Sequence, residues 1–82
     1  MSKLVQKQIT VLTETGANPR SFRWHDRWHH IATVYESWRE TGRWWCGEGE
    51  RVFYRAETVA GGIYELYYDT GRCQWYLYRV YD

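Results

Sequence analysis

The chain has 82 residues, a formal net charge of +1 and 20% aromatic residues, among them six Trp and eight Tyr. That length supports a single domain over residues 1–82 with one modest core, burying roughly 60% of the surface of the unfolded chain. The balanced charge excludes a global electrostatic pull toward nucleic acid or membrane, so any such contact must rest on a local patch.

Residues 3–13, KLVQKQITVLT, carry Val5, Ile9 and Val11 on one parity and Leu4 and Leu12 on the other. The pattern predicts a strand centred on Ile9–Leu12, with residues 1–7 the least ordered part of the chain. Neither an apolar signal-peptide segment nor a run of roughly 18 apolar residues is present. A cytoplasmic, membrane-free location is the expectation. Glu14 to Pro19 reads as a loop, because Gly, Asn and Pro cluster there. Ser21 to Asp26 places Phe22 and Trp24 on one face and Arg23 and His25 on the other, with a tight hairpin tip at Asp26-Arg27.

The next stretch supports two readings. Ile31, Val34, Tyr35 and Trp38 fall at i, i+3, i+4 and i+7, the pattern of a helix face, which would put a short helix over residues 33–40. The density of β-formers and the flanking hairpins favour one long strand with a β-bulge that resets the alternation. Thr41-Gly42 is a turn, and Gly47 to Glu50 is an acidic loop. Arg51 to Val59 is a further strand, with Val52, Tyr54 and Ala56 opposite Phe53, Arg55 and Glu57. Ala60-Gly61-Gly62 turns the chain into its most aromatic segment, Ile63 to Asp82.

That segment predicts a hairpin, because aromatic and β-branched residues fit a pleated surface. Asp69 to Arg72 supplies the turn, with Gly71 able to take positive φ. The expected register pairs Tyr68 with Cys73, Leu66 with Trp75 and Tyr64 with Leu77. A three-residue loop would put Glu65 beside Trp75, so the hydrophobic pattern selects the first arrangement. Tyr64, Leu66, Trp75 and Leu77 then form a core wall, and Tyr67, Tyr76 and Tyr78 face outward. The fold expectation is all-β and mainly antiparallel. It is a small barrel-like or strongly twisted sheet of five or six strands, with the short helix as the other reading for 33–40.

Catalytic and metal chemistries find little support. His25 and His29 have an H-x₃-H spacing, but no Cys pair accompanies them, and a tight turn between them puts them on opposite parities. No metal or cofactor is expected. Cys46 is flanked by Glu48 and Glu50, which oppose a lowered thiol pKa. Cys46 and Cys73 are expected as reduced thiols. Glu36 and Glu40 share a face only in a helix. No phosphate-cradling motif is present, since Gly61-Gly62 lacks a following Lys-Ser or Lys-Thr. The expectation is a binding module without enzymatic activity.

The pattern with most binding content is Arg interleaved with rings. Arg20, Arg23, Arg27 and Trp28 lie around the first hairpin, and Arg43 and Trp44 follow later. Guanidinium groups contact phosphates and exposed rings stack on bases. With the outward Tyr67 and Tyr76, these eight residues are the candidate binding set. Tyr, Trp and Arg are also the residues enriched at protein interfaces. A protein-interaction or self-associating β module unrelated to DNA is therefore the rival expectation.

Four strings carry a resemblance: Phe22 and Trp24; Trp38-Arg39 with Gly42, Trp44 and Trp45; Tyr64-Glu65-Leu66; and Trp75-Tyr76 with Asp82. Together they make residues 20–82 similar to a family of small uncharacterised bacterial domains. Members of that family stand alone or occur beside Y-family translesion DNA polymerases. The resemblance implies a cytoplasmic accessory module of DNA-damage tolerance that touches the polymerase or DNA. It implies no catalytic residues. The chain departs from the family pattern at His29, where Tyr is usual, and at Tyr35, where an aliphatic is usual.

Overall fold

The computed structural model describes residues 2–13, 18–41 and 49–81. Six antiparallel strands close into a barrel in chain order: β1 (Ser2–Thr13), β2 (Pro19–Trp24), β3 (Arg27–Thr41), β4 (Glu50–Thr58), β5 (Ile63–Asp69) and β6 (Gln74–Tyr81). The all-β expectation holds, and among the described residues no helix forms; residues 33–40 belong to β3. No helix of the described residues is long and apolar enough to cross a membrane.

Two long strands turn the corners of the barrel. β1 pairs with β6 through Ile9 and with β2 from Thr10 onward. β3 pairs with β2 through His30 and with β4 from Ile31 onward. Its register shifts at Ile31/Thr33, where it changes partner, and again at Val34/Glu36. An extra residue at each site bends the strand and resets its alternation, which produced the false helical spacing of Ile31, Val34, Tyr35 and Trp38.

The first hairpin tip lies one residue earlier than expected, at His25-Asp26. Both residues take positive φ, 53° and 59°. That is the backbone of a type I′ turn, whose twist matches the flanking strands. The second correction concerns the last hairpin. Tyr68 pairs with Trp75 and Leu66 with Leu77, two residues from the expected register, and past the shift at Glu65/Leu66 Tyr64 pairs with Val80, three residues from it. A four-residue turn causes the shift: Asp69 Oδ1 accepts from the Gly71 and Arg72 amides at 3.0 and 3.3 Å. Cys73, not Gly71, takes the left-handed conformation (φ 55°). Where the slip is two residues, side chains keep their expected faces; past the Glu65/Leu66 shift it is three, which turns Val80 inward and Arg79 outward, and Cys73, expected opposite Tyr68, lies exposed in the turn.

Phe22, Leu66 and Leu77 are fully buried inside the barrel, with Val5, Ile9, Val11, Trp24, Ile31, Tyr64, Trp75 and Val80 packed against them. The outer face of β3–β6 has its own organisation. Cross-strand partners share a face, so the pairings create rows across four strands. Trp38, Phe53, Tyr67 and Tyr76 form one row. Their neighbouring centroids are 5.3, 5.0 and 5.0 Å apart, close to one strand spacing of about 4.8 Å, so the rings pack side by side. The register shift between Glu65 and Leu66 adds Tyr78, whose ring meets Phe53 edge-on at 5.3 Å. Alternating charges flank this row on both sides: Glu40, Arg51, Asp69 beyond it in one direction, and Glu36, Arg55, Glu65, Arg79 in the other.

The second charged row is tightly bonded. Glu65, 4% exposed, accepts from Arg55 Nη2 at 3.2 Å and from the Tyr81 hydroxyl. Arg55 also reaches Glu36 at 3.3 Å. Phe53 and Tyr67 are 3% and 7% exposed despite pointing away from the barrel interior. Burial raises the Tyr67 phenol above its ordinary value, partly offset by the Arg51 guanidinium, which lies 5.3 Å from its ring centre. A raised phenol pKa contributes stability that is complete below the ordinary tyrosine value near 10 and lost as pH climbs through the folded-state value. Ultraviolet titration is expected to show late-ionising tyrosines, Tyr67 and Tyr68, of which Tyr67→Phe removes one. Uniform ionisation of all tyrosines near the ordinary value would contradict the burial.

Candidate functional site

The candidate residues from sequence do not form one surface. Arg23 and Trp28 are direct cross-strand neighbours on the outer face of β2 and β3. Trp28 is 43% exposed, and Arg20, Arg23 and Arg27 are exposed. Arg27 pairs with Trp24, on the opposite parity from Arg23. Tyr67 and Tyr76 lie three strands away, on β5 and β6. They face outward as their parity predicts, but Tyr67 is buried and stacked between Phe53 and Tyr76. Both faces of its ring are engaged, so Tyr67 is corrected from an open contact residue to a structural one. Arg43 and Trp44 lie outside the described residues, as does Cys46.

The histidines do not converge. His29 stacks on Phe22 at 5.0 Å, and its Nε2–H donates to the Trp24 carbonyl at 3.4 Å. His30 Nδ1 and Ser21 Oγ share a 2.9 Å hydrogen bond. His25 sits at the turn tip against Trp24, with ring centres 4.2 Å apart. Among the described residues, no group of three or more His, Cys, Asp or Glu side chains gathers around one point. Cys73 is an exposed free thiol.

The clearest concavity adjoins the His25 turn. One hollow of about 510 Å³ is lined by Lys3, Leu4, Val5, Lys7, Trp24, His25 and Val80. A second, of about 370 Å³, is lined by Gln8, Ile9, Thr10, Arg23, Trp24, His25 and Asp26. The two share Trp24 and His25 and adjoin at those rings; the outer-face Gln8, Thr10 and Arg23 line one part of this groove and the inner-face Lys3, Val5 and Lys7 the other.

The local backbone explains how two lysines come to line it. Lys3 pairs with Val80 and Lys7 with Leu77. Both lysines therefore sit on the face that elsewhere makes the core, yet both remain exposed. The barrel opens at this end, and the charges stay in water. Between them the β1–β6 register shifts, and Gln6 takes a left-handed φ of 51°. A non-glycine residue in that region is strained, and such strain concentrates where a side chain must be re-aimed.

Charge is distributed unevenly around the barrel. Lys3, Lys7, Arg20, Arg23 and Arg27 lie on β1, β2 and the start of β3, where Asp26 is the one described carboxylate. Asp26 is 3.5 Å from Arg23, and both side chains are largely exposed. Every other described carboxylate lies on β3 beyond Ile31, on β4 or on β5. There Arg39 and Arg55 are engaged, in the Arg39–Glu50, Arg55–Glu36 and Arg55–Glu65 pairs, while Arg51 and Arg79 lie against the Tyr67 and Tyr78 rings. Among the described residues, Lys3, Lys7, Arg20 and Arg27 have no carboxylate within 4.0 Å. Among the described residues, the net charge of +1 thus conceals a basic wall and a nearly neutral one, where Glu36, Glu40, Glu50, Glu57, Glu65 and Asp69 are matched by Arg39, Arg51, Arg55, Arg72 and Arg79.

Sequence reasoning found Arg23 and its hairpin but missed Lys3, Leu4, Lys7 and Trp24 as groove residues. A signal was present: Lys3 and Lys7 share the parity of Val5 and Ile9, which mixes two charges into an otherwise apolar face. The model of a family described as Domain of unknown function (DUF6504) matches residues 2–82. No curated protein and no solved structure matches the chain.

Proposed function

We propose a function for a chain that belongs to the DUF6504 family, whose description assigns none: a non-catalytic module that binds nucleic acid through its basic wall. The observation that carries this reading is the segregation of charge. A groove with Lys3, Lys7 and Arg23 along it, and Trp24 at its middle, combines phosphate contacts with a ring. The acids that balance the composition are spent on the opposite wall, in pairs with Arg39 and Arg55.

The resemblance in residues 20–82 supports a finer version of the same reading. The module works in the cytoplasm as an accessory to a Y-family DNA polymerase, keeping hold of the template near a lesion while the polymerase acts. The test is anisotropy of a labelled oligonucleotide against salt. Binding is expected at low salt, with log affinity falling linearly against log salt, by about 0.7 per single-strand phosphate contact. Absence of binding at low salt would end the nucleic-acid reading.

A second reading has one observation in its favour. β3 is exposed on both faces from Ala32 to Ser37, with Tyr35 52% and Val34 37% exposed. A strand open on both faces suits a protein partner or a second copy. Salt-insensitive self-association or polymerase co-elution, lost on Tyr35→Ser, is the outcome that favours it.

A further inference from the structure

The groove has two unlike halves, and their difference bears on which form of nucleic acid it takes. The half beside Arg23 is polar: Gln8, Thr10, Arg23, His25 and Asp26 surround it. The half beside Lys3 and Lys7 has an apolar floor of Val5, Trp24 and Val80, and the two lysines share that face of β1. Leu4, paired with Arg79, turns its side chain to the other face. The volume of about 510 Å³ falls within the range of roughly 300–1,000 Å³ typical of small-molecule sites, ample for a nucleobase.

An apolar floor with a ring and a rim of cations is of no use to a duplex. The bases of a duplex are stacked inside it, and only its phosphates reach a protein wall. A single strand presents both chemistries at once, an unstacked base and a flanking phosphate. We infer that the groove is specific for single-stranded nucleic acid. One base enters the Val5–Trp24–Val80 hollow while the adjoining phosphates lie on Lys3, Lys7 and Arg23.

This inference rests on the nucleic-acid reading above and sharpens it. The strand runs along β1, past the His25 turn. His25 and Trp24 line both halves, so they sit where the backbone passes from the base hollow to the polar half. The strained Gln6 lies on the same strand between the two lysines, where the register shift sets their spacing. Asp26 is the one carboxylate lining the groove, and Arg23 stands 3.5 Å from it, so the anionic strand meets a screened charge.

The experiment compares three probes of equal length at low salt: an oligothymidylate, the same backbone with abasic sites throughout, and a duplex. The intact strand is expected to bind roughly tenfold or more tighter than either of the others, since stacking a base on an aromatic ring contributes on that scale. That preference rests on the Trp24 ring. Trp24→Phe, which keeps a ring against the core, is expected to weaken it. Equal affinity for intact and abasic strands overturns the base hollow but leaves the phosphate-binding reading standing. A duplex bound as tightly as the strand overturns the single-strand specificity in the same way. Failure of all three probes to bind overturns both the inference and the reading beneath it.

Discussion

Phe53→Ala is expected to destabilise the domain by about 3–5 kcal/mol, as much as Phe22→Ala, although the two rings lie on opposite faces of the barrel wall. Phe22 is 0% exposed in the interior, against His29 and Tyr64. Phe53 is 3% exposed on the outside, enclosed by Trp38, Tyr67 and Tyr78. The cost of deleting a ring follows the contacts and area lost, not the side of the sheet it occupies. Among the described residues, an interior with three large fully buried side chains is small for six strands, and the outer stack adds a second buried layer. In a small domain each kcal/mol moves the melting midpoint by about 4–8 °C, so both variants should melt more than about 10 °C lower. If Phe53→Ala costs under about 1 kcal/mol while Phe22→Ala unfolds the chain, the outer stack is surface decoration. Tyr67 and Tyr76 would then return as contact residues.

Reversing charge in the groove is expected to abolish binding without harming the fold. Lys3→Glu, Lys7→Glu and Arg23→Glu together remove three cations that line it. Hydrogen bonds to charged groups contribute about 1.5–3 kcal/mol each, so each lost phosphate contact should weaken affinity by at least about tenfold. Removing three contacts should also flatten the salt dependence by about two units of slope on a single strand. All three side chains are exposed, so the melting temperature should hardly change. Arg72→Glu, in the exposed turn between β5 and β6, is the control and should leave affinity unaltered. If it weakens binding as much as the groove variants, the contact surface lies elsewhere.

The two surfaces divide the aromatic content of the chain differently from a reading by position alone. Alternation in the last hairpin assigned Tyr67 and Tyr76 to the outward side, and in Arg51–Glu57 it put Phe53 on one face with Arg55 and Glu57 without saying which face is outward. It did not reveal that those rings bury one another. Mutual burial depends on which residues of four separate strands stand side by side, and pairing brings Trp38, Phe53, Tyr67 and Tyr76 into one row. The sequence signal for exposure is polarity, and a row of rings between two rows of alternating charge satisfies its own surface.

The groove is legible only in part for the same reason. Arg23, Arg27 and Trp28 are close in sequence, so a hairpin suffices to place them together. Lys3 and Lys7 reach the His25 turn only because β1 leaves β6 for β2 as the barrel closes.

What the residues by themselves determined is the strand content and the face of the hairpin side chains from Leu66 to Tyr68 and from Gln74 to Tyr78. Both follow from period-two alternation, a local property that survives a two-residue slip of the last hairpin but not the bulge beyond Tyr78. The tertiary structure alone decided three things: the partner exchange of β1 and β3, the burial of the outer ring row, and the gathering of the basic strands on one wall apart from the nearly neutral one. Each depends on contacts between residues distant in the chain, and barrel closure is what brings those residues together.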